Sequence, residues 1–572
     1  MQLVNGLHFK NIRGDVFGGI TASVVALPLA LAFGIASGAG PVAGLYGAII
    51  VGFFAALFGG TPSQISGPTG PMTVVIATVF TEFAGRDDGQ GIALAFTVIM
   101  LGGIFQIVFG LMRLGKYITL MPYTVISGFM SGIGLIIILT QVAPFLGHPS
   151  TASVVESVKT YGKFITEPNY APNPYALALG VLTLIIVFCC PRKITRIIPS
   201  PLLALILGTI AATFIGRYYP NNGLMLIGDI PRELPEMHLP IFNWQEYRSV
   251  FGYGLMLAVL GSIDSLLTSL VADNITQTQH DSDRELIGQG IGNLLSGLFG
   301  GLPGAGATMR TVINVKSGGI TPVSGMVHAF VLLIVVYKAG GLTANIPHAV
   351  LAGILIKVGI DIIDWSFIKR AHQISLKATG LMYMVMFLTV FVDLVTAVAV
   401  GVFFANLLTV KNLSDIQSKK VKAIIDPDDE MDLNIAERHI LKRAKGKIIL
   451  FNLTGPMSFG AAKTISQRMG IVRQYEVLIL DLNDVPMIGV TASLAIENMV
   501  KDAYARDHQV FLVGAEERVR KRLEKMKLLN YLPPENCFDD RIMALEKAIV
   551  LVETPKQPIF NPETARPDST PG

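Results

Sequence analysis

Two runs in this chain break an apolar stretch with glycine and proline: Ser66-Gly67-Pro68-Thr69-Gly70-Pro71 and Gly301-Leu302-Pro303-Gly304-Ala305-Gly306-Ala307-Thr308. Backbone that leaves a helix inside a bilayer finds no lipid partner for its N–H and C=O groups, so it must be buried in protein or line a cavity. A half-helix that starts there presents unpaired first-turn N–H groups and the positive end of its dipole to the cavity. Two such starts facing each other make an anion site. Thr69 and Thr308 stand at the two starts and can cap a helix or donate a hydroxyl, while glycines such as Gly70 let an anion approach the backbone. A single Gly-Pro break can equally be a kink, but a matched pair in two halves of one chain points to a transporter with a midplane site.

Acidic residues are nearly absent from the apolar runs, which singles out Asp264 in Leu260-Gly-Ser-Ile-Asp-Ser-Leu-Leu-Thr268. A carboxylate within a span costs about 2.5 kcal/mol or more unless it is paired or protonated. Thr268 follows it at i+4, on the same helix face. Carboxylate, hydroxyl and the unwound carbonyls of Gly304 and Gly306 are hard oxygen ligands suited to a small cation such as sodium. A cation and an anion bound side by side lower each other's electrostatic cost, which couples their movement. Arg310, two residues into the second half-helix, either pairs with Asp264 or faces the anion, and the sequence leaves both arrangements open.

These residues need a membrane scaffold, and the composition supplies one. Of 572 residues, 51% are hydrophobic and 15% charged, with a mean hydropathy of +0.55. Apolar runs long enough to span crowd the chain from about Val16 to Val410 and then stop. We count about fourteen segments, two of them half-length, centred near Val25, Ile49, Ile76, Leu101, Ile126, Val181, Leu205, Ala258, Leu295, Val312, Val331, Leu355, Met386 and Val400. Arg113, Lys116, Arg192, Lys193, Lys316, Lys369 and Arg370 fall in loops on one side. Glu82, Asp87, Asp88, Glu156, Asp229 and Glu233 fall on the other, which places both termini in the cytoplasm. Seven spans in each half give the halves inverted topology, since the third of each begins at Thr69 or Thr308. The first span reads as an uncleaved signal. The expected divisions are a cytoplasmic N-terminus over 1–14 and a transmembrane region over 15–410, with repeats at about 15–218 and 250–410. After them come a linker at 411–435, a soluble α/β domain at 436–552 and a disordered tail at 553–572.

Strand patterns at 446–453, 476–482 and 509–513 alternate with helical ones at 461–469, 492–503, 516–526 and 542–551, the signature of a sheet with packed helices. Other chemistry is sparse. No P-loop is present, the cysteines Cys189, Cys190 and Cys537 show neither metal nor disulfide spacing, and His148, His238, His280 and His348 read as surface residues. Gln106 and Gln141 read as interhelical hydrogen-bond partners. Nothing points to an enzyme or to nucleic acid.

The first break, the stretch from Asp264 to Gly304-Ala-Gly-Ala-Thr-Met-Arg310, the loop Asp361-Ile-Ile-Asp-Trp365 and the soluble tail together resemble the SulP anion transporters, relatives of the animal solute carrier 26 proteins. Phe9-Lys-Asn-Ile-Arg-Gly-Asp15 and Ala26-Leu-Pro-Leu-Ala-Leu-Ala-Phe-Gly34 look closest to that family's cyanobacterial bicarbonate transporters. Leu480-Asp-Leu-Asn-Asp-Val-Pro-Met-Ile-Gly-Val-Thr491-Ala resembles the signature of a STAS domain. Gly489 and Ala492 stand where signalling relatives have aspartate and glycine, which sets Thr491 apart from a phosphorylated hydroxyl. The resemblance implies fourteen spans in a 7+7 inverted repeat, a mobile core against a gate, and sodium-dependent bicarbonate uptake across the plasma membrane. It implies bicarbonate between Thr69 and the Ala307-Thr308 backbone, with sodium at Asp264, Thr268 and Gly306. Joined to the residues read above, the expected anion site is Thr69, Gly70, Ala307, Thr308 and Arg310, and the expected sodium site Asp264, Thr268, Gly304, Gly306 and Thr308. A homodimer with STAS involvement is the implied assembly. A proton-coupled symporter of sulfate or a dicarboxylate, or a passive anion channel, would use the same half-helix site.

Overall fold

The computed structural model describes residues 7–84, 90–118, 122–150, 154–167, 170–191, 194, 198–228, 237–241, 246–392, 394–425, 433–471 and 475–554. The chain divides into a unit ending at Ala405 and a second beginning at Asn406.

Helices α1 (Ile12–Ala36) and α2 (Pro41–Phe58) lead into a two-residue strand, β1 (Ser66–Gly67), and then into α3 (Gly70–Ala84). There follow α4 (Gly91–Leu111), the short α5 (Gly115–Ile118), α6 (Tyr123–Phe145), α7 (Val154–Thr166), α8 (Pro174–Cys189) and α9 (Ser200–Tyr218). The order then repeats. Helices α10 (Tyr247–Thr276) and α11 (Ser282–Leu298) lead into β2 (Ala305–Gly306) and α12 (Thr308–Lys316), then α13 (Pro322–Thr343), α14 (His348–Ile362), α15 (Trp365–Ile374), α16 (Leu376–Phe391) and α17 (Leu394–Lys419). Each expected segment centre falls inside one of these helices. Among the described residues, seven helices are long and apolar enough to cross a bilayer, and shorter apolar ones include Gly70–Phe83 and Leu376–Phe391. The shortness of α3 and α12 has a local cause: each starts only after its Gly-Pro break has released the backbone.

Helices pack into two groups. α1 lies against α2, α12 and α13, and α11 against α2 and α4, while α10 packs on α4 and α12. α6 lies against α14 and α16, and α8 against α9 and α14. The first four helices of each half thus gather in one group, and α3 touches α6 and α14 of the other.

The second unit is a five-stranded sheet in the order β3 (Val421–Ile424), β4 (Ile448–Thr454), β5 (Val477–Asp484), β6 (Gln509–Val513), β7 (Cys537–Phe538). β3 is antiparallel to β4 and the other pairs are parallel. Alternation along each strand sends Ile449, Phe451, Leu478 and Leu480 to one core and Ile448, Leu450, Val477 and Ile479 to another. Both faces are covered, which is why these strands read as unbroken apolar runs. Helices α18 (Ile435–Ala444), α19 (Phe459–Ile471), α20 (Val490–Ala505), α21 (Glu517–Lys525) and α22 (Arg541–Glu553) do the covering. Residues 411–435, expected as a linker, instead carry the end of α17 and the edge strand β3, whose partner β4 lies more than twenty residues on. The expected disorder of the tail concerns residues that, from 555 onward, lie outside those described.

Candidate ion-binding site

The two breaks meet. Ser66 pairs with Gly306 and Gly67 with Ala305 in an antiparallel bridge, so the backbones that precede α3 and α12 cross. Ala307 N–H donates to the Ile65 carbonyl at 2.9 Å and extends the crossing by one residue. Only glycine fits its centre: a β-carbon on Gly304 would lie 2.5 Å from the Gly67 carbonyl carbon, and Gly67 itself has φ of +150°.

Each half-helix leaves the crossing with its first turn open. Thr73 N–H reaches back to the Thr69 carbonyl and Thr311 N–H to the Ala307 carbonyl, both at 2.9 Å, so the N–H groups ahead of them have no intrahelical acceptor. Ala307 occupies the N-cap position of α12 and provides no side-chain cap. Thr69 is 8% exposed, yet its hydroxyl has no hydrogen-bond partner. Gly70 is overlooked by the Ile137 and Ile362 side chains of α6 and α14. Arg310 is buried and donates from Nη2 to the Pro68 carbonyl at 2.5 Å. Among the described residues it forms no ion pair with Asp264 within 4.0 Å.

The oxygen ligands expected for a cation are partly assembled. Thr268 donates its hydroxyl to the Gly306 carbonyl at 2.9 Å and lies 2.7 Å from the Thr308 hydroxyl. Asp264, one turn before Thr268 on α10, faces the Thr69 hydroxyl and, more weakly, the Arg310 charge. Its Oδ2 is buried without a hydrogen-bond partner. Beside it, Pro71, Phe129, Met130 and Val398 line a cavity of about 10 Å³, the room of one water-sized sphere. Gly304 is not gathered with this cluster by any hydrogen bond, because the Asn293 amide takes both its backbone groups, at 2.7 and 2.9 Å. A larger cavity of about 820 Å³ runs along α3 past Thr81, Thr78 and Thr73, within one turn of Thr69.

Several polar groups inside the protein escaped sequence reasoning. Glu285 is 1% exposed, in the charged run Asp281-Ser-Asp-Arg-Glu285 that reads as a loop but forms the first turn of α11. Ser265 Oγ accepts the Gly306 N–H at 3.0 Å, a contact no spacing rule announces. His328 is fully buried on α13 and neither ring nitrogen has a partner. His280, expected at the surface, is half-buried in a polar tie: Nδ1 lies 2.6 Å from Asp273 Oδ2 and Nε2 lies 2.9 Å from Ser282 Oγ. Gln106 does bridge helices, accepting from Asn293 at 2.7 Å.

Residues 12–413 match the sulfate permease family, and residues 439–541 match the STAS domain. The chain is 52% identical over 554 residues to the bicarbonate transporter BicA of Picosynechococcus sp., covering 96% of this chain and 97% of that one. The solved transmembrane domain of a cyanobacterial bicarbonate transporter BicA superposes with a TM-score of 0.65 at 51% identity, covering 69% of this chain and all of that one. The structure of SLC26A9 superposes with a TM-score of 0.79 at 18% identity, covering 95% and 91% of the two chains, which marks a shared fold.

Proposed function

This chain belongs to the sulfate permease family and is a multi-pass membrane transporter with a STAS domain, and we propose that it carries bicarbonate together with sodium across the plasma membrane by alternating access. The observation that supports this reading most is the crossing of the two breaks, where a Thr69 hydroxyl and an Asp264 oxygen without hydrogen-bond partners accompany the linked Thr268, Gly306 and Thr308 oxygens. The name of the relatives supplies the anion.

On this reading the open first turns of α3 and α12 and the Thr69 hydroxyl donate to bicarbonate, and Arg310 adds a positive field from its seat on Pro68. Sodium is held by the Asp264 carboxylate, the Gly306 carbonyl and the two threonine hydroxyls. Gly304 stays outside both sets, since its backbone is joined to Asn293 rather than to the threonine hydroxyls. Each ion reduces the electrostatic cost of the other in a water-poor site, so the loaded pair crosses more readily than either alone. One sodium with one bicarbonate moves no net charge, and the sodium gradient then supplies about 1.4 kcal/mol per tenfold. The group holding α1 to α4 with α10 to α13 is the part that moves, against the group around α6 and α14. Both termini are cytoplasmic and the assembly is a homodimer.

The reading is tested by radiolabelled bicarbonate uptake into proteoliposomes, with and without an inward sodium gradient, in the intact protein and in Asp264→Ala. Uptake that requires sodium and falls at least a hundredfold in the variant is the expected result. Uptake indifferent to sodium but driven by a proton gradient would replace sodium with a titrating Asp264, and current without any cation gradient would make the protein a channel.

A further inference from the structure

Glu285 touches none of the groups assigned above to an ion, yet its surroundings are fully determined. Oε2 accepts from the Gly60 and Thr61 N–H groups, both at 2.9 Å, and Oε1 from the side-chain amides of Gln64 at 2.7 Å and Gln289 at 2.8 Å. All four partners are donors, which suits a charged carboxylate with four lone-pair positions and no proton to place. The start of α11 adds a favourable dipole.

Two of the four partners continue to the breaks. The Gln289 amide also donates to Ser66 Oγ at 2.5 Å, and Ser66 is the residue paired with Gly306. The Gln64 amide packs against Gly306 so closely that no β-carbon fits there, while its carbonyl accepts from Ser269 of α10 at 3.1 Å. One carboxylate thus reaches one break through Gln289 and the other through Gln64. We infer that Glu285 is a positioning residue for both ions, holding the crossed strands in register and with them the Gly306 carbonyl and the starts of α3 and α12. The inference rests on the reading of the crossing as the ion site.

Glu285→Gln keeps the volume but turns one acceptor into a donor facing donors, so two of the four bonds are lost and buried N–H groups are left without partners. In the full-length reconstituted variant, the half-saturating concentrations of sodium and of bicarbonate both rise about tenfold or more, while the maximal rate per folded molecule changes less. Amide hydrogen exchange quickens at 60–67 and at 304–311 and stays unchanged in α6. Gln289→Met, which keeps the carboxylate with three of its four donors and cuts the link to Ser66, moves the same quantities in the same direction by less, and it decides the matter if Glu285→Gln does not fold. Unchanged half-saturation for both ions in a folded variant overturns the inference, as does a fall in maximal rate alone. If the unaltered protein takes up no bicarbonate with sodium, the proposed function fails by itself, and exchange at 304–311 then decides the positioning role: faster exchange supports it, unchanged exchange overturns it.

Discussion

A hydroxyl without a partner and a hydroxyl with two make opposite demands on a mutant. Thr69→Val replaces the unpartnered Oγ1 by a methyl of similar size, so the protein gives up only that hydroxyl's approach to Asp264. Its melting temperature in detergent should match that of the unaltered protein, while half-saturation by bicarbonate rises about tenfold, the worth of one hydrogen bond to an anion. Thr268→Val removes a donor to the Gly306 carbonyl and a contact to Thr308. It should lower the melting temperature and raise the half-saturating sodium. A Thr69→Val protein with unaltered bicarbonate dependence would remove that hydroxyl from the site. Asp264, Thr69 and Thr308 were legible in the sequence because each is an unusual type in an apolar or broken run. Glu285 and Ser265 were not, since an acid in a charged turn and a serine in a helix look ordinary until a long-range contact is known.

The unit of function at the next scale is the crossing of β1 and β2, two strands of two residues each that stand or fall together. Gly304→Ala would press a β-carbon onto the Gly67 backbone, which has no flexible end to move aside. We expect loss of uptake and a lower yield of folded protein, read by size-exclusion chromatography and by uptake per mole. Gly380→Ala is the control: it lies inside α16 with nothing within 4 Å of the added carbon, and helix propensity alone favours alanine by roughly 0.5–1 kcal/mol. Equal behaviour of the two variants would mean that the crossing tolerates separation. The breaks themselves were visible as Gly-Pro punctuation, and their partnership was inferred from equal positions in two halves. That they join as strands was not visible, because two residues carry no periodicity. The edge strand β3 escaped for a related reason: four residues, with Lys422 among them, gain strand character only by pairing with β4.

Across the whole molecule, each of the two units buries a core of its own. In the second, Arg541 is shared between Glu437 at 2.6 Å and Asp481 at 3.1 Å, two buried carboxylates from separate elements, which ties α22 to α18 and to β5. In the first, every residue assigned to an ion lies between Thr69 and Arg310, far in sequence from the boundary after Ala405. The fall in hydropathy after Val410 lies within α17, which runs on to Lys419, and the chain divides after Ala405. On the proposed reading, coupling of the two ions is a property of the first unit. A protein truncated after Lys419 should keep sodium-dependent bicarbonate uptake with half-saturating concentrations within about twofold of the full chain, even where the amount of folded protein falls. Uptake normalised to folded transporter separates these effects. If the truncated protein folds and binds sodium but no longer couples it to bicarbonate, the STAS domain takes part in the transport cycle itself, and confining coupling to the first unit would be wrong.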